Sequence, residues 1–438
     1  MIAVMKLKKH ILICLIAGVS LSLQAQKLSK TERDILAAVS RNAPEAEKFL
    51  EEIVNINSGT LNLEGVRQVG AKFHTAFSEL GFDVRWIEMP EAMNRAGHLF
   101  AEHQGAKGKR LLLIGHLDTV FEENSPFQQF QRINDSLAHA PGGNDMKGGD
   151  VIALYALKAL HEQGLLEDRQ IVVAFTGDEE STGNPLEESR KDLIEAAKRS
   201  DVALGFETAT GLNEATVARR GASGWEVEVK GVRAHSSGIF SSQTGAGAIF
   251  EISRILHEFY EEVKGAEYLT FNPGILFGGT FSAYNDKTGE ATVFGKSNVV
   301  AQTARVKGGL RFISESQKDS ARTKMREIVG RNLPQTTAEI HFTDAYPAMS
   351  PTPGNKALLE ELSKVSTDMG LGPVTAYDPG KRGAADVSFV APYISGLDGL
   401  GSMGSGAHTP QETVNLKTFE QLTQRTALLI YRLTRMNP

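Results

Sequence analysis

Two histidines and a spread of carboxylates stand where apolar runs of this sequence end or where glycines cluster. His116 follows the run Leu111–Ile114 through Gly115, with Asp118 two residues on. A histidine at the end of a buried strand has one ring nitrogen free to face a crevice, and a nearby carboxylate can orient the other. Asp145 lies in Pro141-Gly-Gly-Asn-Asp-Met-Lys-Gly-Gly149, a turn that opens a helix. Glu179 and Glu180 follow the run Gln170–Thr176, Glu207 ends the run from Val202, and His408 lies in Gly404-Ser-Gly-Ala-His-Thr409. Ligands gather at the carboxyl ends of the strands in open α/β sheets, so these five loops are expected to converge.

Histidines and carboxylates without sulfur suit a pair of Zn²⁺ ions or a similar divalent metal. Five ligands serve two metals if one carboxylate bridges, and an adjacent acid that cannot point at the same metal is left to act as a base. Taken singly, most of these positions have a bland reading. His-x-Asp is a common satisfied pair, Asp145 suits an Asx turn or N-cap, Asp178-Glu-Glu180 suits a solvated loop, and His408 suits a turn. Glu207 resists such a reading, because an unpaired buried carboxylate is costly. The bland readings would have to hold at all five positions together, and the joint pattern favours metal.

The elements that must position these residues are legible as hydrophobic periods. Apolar residues recur at helical spacing from Thr31 to Ile56, interrupted by Pro44, and again from Val66 to Leu80, closed by Gly81. Strand-like pieces follow at Asp83–Met89, His98–Glu102 and Arg110–Gly115. A helix spans Lys147–Gly164, a buried strand Gln170–Thr176, a helix Glu187–Lys198 and a strand Val202–Glu207. Apolar strands alternating with amphipathic helices imply an α/β fold, with a mixed, largely parallel sheet covered by helices. The pattern changes near Arg219. Trp225–Lys230 alternates, a helix covers about Gly245–Val263, and strand-like pieces follow near Leu269–Gly274, Val293, Val299–Arg305 and Gly308–Ile313. A helix at Ser316–Leu333 and a strand at Thr336–Thr343 complete a separate α+β unit. After Pro347 the first pattern resumes with a helix at Lys356–Met369, strands near Val374 and Leu397, and a helix at Leu416–Arg435. The expected organisation is a first part 26–216, an inserted unit 217–345 and a second part 346–438.

With 438 residues, 41% of them apolar and 7% aromatic, the chain can fill sizeable cores, and length alone suggests two or three domains. A net charge of −6 gives no reason to expect nucleic acid. Lys6, Lys8 and Lys9 precede the apolar run Ile11–Leu23, which Gln24-Ala25 follows. This reads as a secretory signal, residues 1–25, cleaved near Ala25. A run of about 13 residues falls short of the ~20 that span a bilayer, so no stable membrane anchor is expected after cleavage. The protein is expected to be exported, to the periplasm or beyond. The single cysteine, Cys14, leaves with the signal, which excludes disulfides, thiol catalysis and thiolate-bound metal in the mature chain. Losing three lysines and no acid takes the net charge from −6 to about −9.

The order His116-x-Asp118, Gly143-Asn-Asp145-Met-Lys-Gly-Gly149, Asp178-Glu-Glu180, Glu207, His408 resembles the co-catalytic zinc exopeptidase family. That family includes glutamate carboxypeptidase, aminoacylase, acetylornithine deacetylase and succinyl-diaminopimelate desuccinylase, and the resemblance is greatest to bacterial glutamate carboxypeptidase-like members. The likeness spans essentially the whole mature chain, including an inserted lid and dimerisation domain. It implies two Zn²⁺ per subunit, with Co²⁺ or Mn²⁺ as alternatives: His116 and Glu207 on one ion, Glu180 and His408 on the other, Asp145 bridging. It implies that Asp118 orients His116 and that Glu179 is the general base. His235, in Gly231-Val-Arg-Ala-His235-Ser, resembles the lid histidine that reaches the partner subunit's site, which implies a homodimer. Arg311 matches a lid arginine suited to a substrate carboxylate, and Asn298 a residue lining the site.

Departures from the family bear on substrate. Gly309 replaces a common Asp, and Asp344 and Tyr346 stand in a stretch where bacterial glutamate carboxypeptidases tend to carry arginine. Arg382-Gly-Ala-Ala-Asp386 replaces Gly-Gly-Thr-Asp, so Arg382 or Lys381 could supply the missing positive charge. The resemblance points to a carboxypeptidase acting on a small peptide. Within the same chemistry the alternative is an N-acyl-amino-acid deacylase. Outside it stands a binding protein that keeps the fold without catalysis, disfavoured because Glu179 and every ligand are present. A phosphate or nucleotide cradle at Gly142–Gly149 or Gly401–Gly406 lacks the P-loop pattern.

Overall fold

The computed structural model describes residues 28–437. The expected signal segment and Cys14 lie outside them, and among the described residues no helix is long and apolar enough to cross a membrane.

The main sheet has six strands in the order Asp83–Ile87, His98–His103, Arg169–Thr176, Lys107–His116, Val202–Gly205 and Ser395–Leu397. The first two pairings are antiparallel and the other three parallel. Side chains alternate across a strand. Leu111 and Leu113 therefore join one core with Val173 and Phe175, while Leu112 and Ile114 join another with Val172 and Ala174. Helices Lys30–Val54, Gly148–Glu162 and Leu416–Leu433 cover the first face. Residues of Lys191–Lys198 and Val387–Val390 cover the second. Burial on both faces is why these strands read as unbroken apolar runs.

The interruption expected at Pro44 does not occur. Lys30–Val54 is one helix, started by a capping box between Ser29 and Glu32. Its buried stripe, from Ile35, Ala38 and Val39 to Leu50 and Ile53, lies on both sides of Pro44, and that packing outweighs one lost N–H. The helix expected at Glu187–Lys198 is instead two pieces, Leu186–Ser189 and Lys191–Lys198. Arg190 sits between them and turns its guanidinium inward to Asp178 and Asp386.

Strands Thr270–Gly279, Thr303–Phe312, Gly221–Gly231 and Thr336–Asp344 form a second, antiparallel sheet in that order. Its own core joins Trp225, Val227 and Val229 to Ile252 and Ile255 of helix Ala248–Glu258 and to Met325 and Ile328 of helix Glu315–Val329. In place of two strand pieces across Val299–Ile313, one strand, Thr303–Phe312, runs through Gly308 and Gly309. A Cβ at Gly308 would lie 2.2 Å from the Asn272 carbonyl oxygen and 2.4 Å from the Trp225 ring. The glycine is there for close approach, not to break the strand. A hairpin of Phe281–Asn285 and Glu290–Phe294 extends from this unit. Where the chain passes between the two cores, Arg219 and Met349 exchange backbone hydrogen bonds at 2.9 and 3.0 Å.

A small sheet of Gly404–Ser405, Thr413–Asn415, Leu137–His139 and Gln131–Asn134 flanks the main one. Its strands are too short and polar to carry a period.

Candidate metal centre

Parallel pairing puts three of the five loops on one edge. His116 pairs with Thr176 and Ile114 with Gly205, so the chain after each strand leaves at the same end. There His116 is buried. Its Nδ1 donates to the Asp118 carbonyl oxygen at 3.0 Å, and its Nε2 faces Asp145 Oδ1 at 3.4 Å and Glu207 Oε1 at 3.7 Å. The other two loops close the ring. His408 Nε2 lies 3.1 Å from Asp145 Oδ2 and 3.2 Å from Glu180 Oε2. Asp145 thus stands between two imidazoles.

The carboxylate of Asp118 is fully buried and has a second task besides facing His116. Its nearest oxygen is 3.5 Å from His116 Nδ1, farther than the Asp118 carbonyl. It accepts the backbone N–H groups of Glu179 and Glu180 at 3.0 and 3.1 Å and the Thr60 hydroxyl at 2.6 Å. The Glu179 carbonyl in turn accepts the Tyr346 hydroxyl at 2.7 Å. Glu207 is backed by Arg219, whose Nη2 lies 3.7 Å from its Oε2 and whose Nε donates to Asp398.

Two overlapping sets of side chains bring ligand-type atoms within 4.8 Å of one another: His116, Glu179 and Glu207, and His116, Asp145 and Glu180. His116 Nε2 and Glu180 Oε1 are buried without a hydrogen-bond partner among the described residues. Burial pulls the His116 imidazole down, but the Asp118 and Asp145 carboxylates hold it well above its usual value. His408 is raised to about 11 by Asp145 and Glu180. Burial, then the field of Asp145, pushes Glu207 up to about 7. Glu179 is pushed up by burial and by Glu207, Asp386 and Glu180. So many acids in one dry place hold their charge only against cations. Nitrogen and oxygen donors aimed inward, some without partners, fit divalent ions.

The substrate-binding candidates are more scattered. His235 is exposed, with Nδ1 2.8 Å from Ser237 Oγ. Asn298 stands beside it, since the Ser236 N–H donates to the Asn298 carbonyl at 2.9 Å. Arg311 is exposed and makes no side-chain hydrogen bond or ion pair among the described residues. None of the three bonds to the cluster of acids and imidazoles among the described residues. Arg382 does lie beside it. Its Nη2 donates to the Thr208 carbonyl at 3.1 Å, and burial, then the neighbouring Arg219, lowers its pKa. Lys381 lies over the Tyr377 ring instead.

Four residues around the centre carried no sequence signal strong enough to single them out. Glu412 is buried beneath the Asp145 turn. Arg219 backs Glu207. Asp150 is fully buried with both carboxyl oxygens unpartnered among the described residues, and burial raises its pKa well above the usual range. Lys147 donates to the Ile53 and Ile56 carbonyls, both at 2.9 Å, and burial brings it down to about 7. Lys147, two residues after Asp145, and Glu412, four residues after His408, stand nearest to chosen residues, each in a glycine-rich stretch.

Residues 112–432 match peptidase family M20/M25/M40. Over 410 residues the chain is 26% identical to carboxypeptidase G2 from Pseudomonas sp. (strain RS-16), covering 92% of each chain. Among solved structures, aminopeptidase PepT from Bacillus cereus ATCC 10987 is similar with a TM-score of 0.69 at 17% identity, over 90% of this chain and 99% of that one. The M20 family metallo-carboxypeptidase Sso-CP2 from Sulfolobus solfataricus is similar with a TM-score of 0.60 at 16% identity, over 89% and 99%. At those identities the structural likeness speaks for the fold, a mixed α/β architecture with a largely parallel central sheet. The matched span holds most of the chain and every acid and imidazole of the cluster, so this chain belongs to peptidase family M20/M25/M40 and is a metallopeptidase of that family.

Proposed function

We propose that this metallopeptidase is a carboxypeptidase, cutting the amide bond next to a free carboxylate and releasing a C-terminal amino acid. The observation that carries the metal-dependent hydrolysis in this reading is the placement of Asp145 between His116 and His408, with Glu207 and Glu180 on either side. His116 and Glu207 would hold one divalent ion, Glu180 and His408 a second, with Asp145 shared, and Zn²⁺ suits the donors. The chemistry such ions supply when bound is Lewis acidity toward a water and a carbonyl oxygen.

The chain's own groups do the rest. Glu179 as the carboxylate would take a proton from the attacking water and deliver it to the leaving nitrogen, and the burial and acidic neighbours that raise its pKa make it a stronger base for that step. Asp118 and Tyr346 hold the backbone of Glu179 while it does so. Arg311 would hold the substrate carboxylate, with Arg382 placed for a second acidic group. His235 and Asn298, side by side on the second unit, would complete the partner's site in a homodimer. The similarity to carboxypeptidase G2 supports the carboxypeptidase reading. We likewise infer export from the sequence of residues 1–25.

The test is release of amino acid from a panel of short peptides and N-acyl amino acids, by metal-loaded protein and by Glu179→Ala. Turnover of peptides by the wild type alone is the expected result. Turnover confined to N-acyl amino acids would replace the carboxypeptidase with a deacylase. A wild type as inert as the variant across the panel, with metal bound, would overturn both.

A further inference from the structure

We propose that Glu412 is a positioning residue of the metal centre, fixing the backbone turn that carries Asp145 and tying it to the loop that carries His408. Its side chain is 0% exposed. Oε1 accepts the N–H groups of Asn144 and Asp145 at 2.9 and 3.0 Å, and Oε2 accepts that of Gly142 at 3.2 Å. Three backbone donors from one four-residue turn close on one carboxylate.

The register of the small flanking sheet puts it there. Thr413 pairs with His139, so the residue before Thr413 faces the residue after His139, and the Ala140 N–H donates to the Glu412 carbonyl at 3.2 Å. The carbonyls of the same turn are held from other loops. Ser402 Oγ donates to the Gly143 oxygen and Thr208 Oγ1 to the Asn144 oxygen, each at 3.1 Å. With N–H groups and carbonyls both fixed, the Asp145 carboxylate has little freedom in how it meets His116 and His408. A shift in this turn would change both distances together.

A carboxylate is required for geometric reasons. Only two acceptor oxygens carrying charge can take three donors from one turn. A glutamine would keep Oε1 but turn an NH₂ group on the Gly142 N–H.

This role rests on the reading of Asp145 as the shared ligand, and the experiment separates the two. The metal-free full chain is titrated with Co²⁺ by calorimetry and by the visible absorption of the bound ion, for wild type, Glu412→Gln and Gln411→Ala, whose side chain is exposed. The expected result is about 10–100-fold weaker Co²⁺ binding by Glu412→Gln, the range seen when outer partners of metal ligands are removed. Its absorption spectrum should change, and Gln411→Ala should match the wild type. A Glu412→Gln variant with wild-type affinity and spectrum overturns the role while leaving the metal centre standing. A wild type that binds no Co²⁺ overturns both. Should Glu412→Gln fail to fold, amide hydrogen exchange in the metal-free wild type decides. Protection at Gly142, Asn144 and Asp145 supports the clamp, and exchange at the rate of an open turn overturns it.

Discussion

The carboxylate of Asp118 accepts the backbone N–H of Glu179 at 3.0 Å, and its second oxygen takes the N–H of Glu180 at 3.1 Å. One buried acid therefore sets the loop that offers both a proposed base and a proposed ligand, besides standing 3.5 Å from His116 Nδ1. Asp118→Asn keeps one acceptor and turns an NH₂ group on a backbone N–H. Turnover and metal affinity should each fall about 10–100-fold. Steady-state kinetics and a Co²⁺ titration check this, and a variant with both unchanged would show that the loop holds itself.

Histidine 98 gives the fold a pH dependence of its own. The ring is fully buried, with Nε2 donating to the Ser189 carbonyl at 2.9 Å and Nδ1 accepting the Gly177 N–H at 3.1 Å. Burial holds its pKa below the ordinary 6.5, so the folded ring stays neutral where the unfolded one takes a proton. Its contribution to stability is complete above about 6.5 and is lost as pH falls below that value. Urea midpoints at pH 7.5 and 5.5 for wild type and His98→Gln should show the larger fall in the wild type. Equal falls would mean that the ring is protonated in the fold.

Arg190 links two buried acids, its Nη1 at 2.5 Å from Asp178 Oδ1 and its Nε at 2.7 Å from Asp386 Oδ1. Arg190→Met would leave both carboxylates buried without their cation, a loss of about 3–5 kcal/mol. Replacing all three residues, with Asp178→Asn and Asp386→Asn added, should recover part of it. Chemical denaturation measures both. A single variant within about 1 kcal/mol of wild type would show that the acids find water or protons at little cost.

Gly308→Ala tests the second sheet alone. The new Cβ would press on the Asn272 carbonyl and the Trp225 ring, neither of which can swing away. Overpacking of this kind costs about 1–3 kcal/mol. Calorimetry should show the unit around Trp225 melting earlier, with Co²⁺ affinity unchanged. Weakened metal binding would mean that the two cores are coupled more tightly than the Arg219–Met349 crossing suggests.

The sequence by itself determined the strands that end at His116, Thr176 and Gly205, because burial on both faces makes each one an apolar run followed by a polar loop. It also determined the acids and histidines of those loops, since their types and order carry the chemistry whatever surrounds them. The alternation from Trp225 to Lys230 announced a separate sheet with one wet face. Tertiary structure alone decided the rest. Pro44 stays inside a helix because packing on both sides of it outweighs a lost hydrogen bond. Arg190 divides a helix because two buried acids draw its side chain inward. Asp118 takes on the Glu179 loop besides facing His116 because strand register brings those amides within reach. The contacts of Glu412 and Arg219 left no mark in local sequence. Each acts on groups far along the chain, and no hydrophobic period or short motif records a contact that only folding makes.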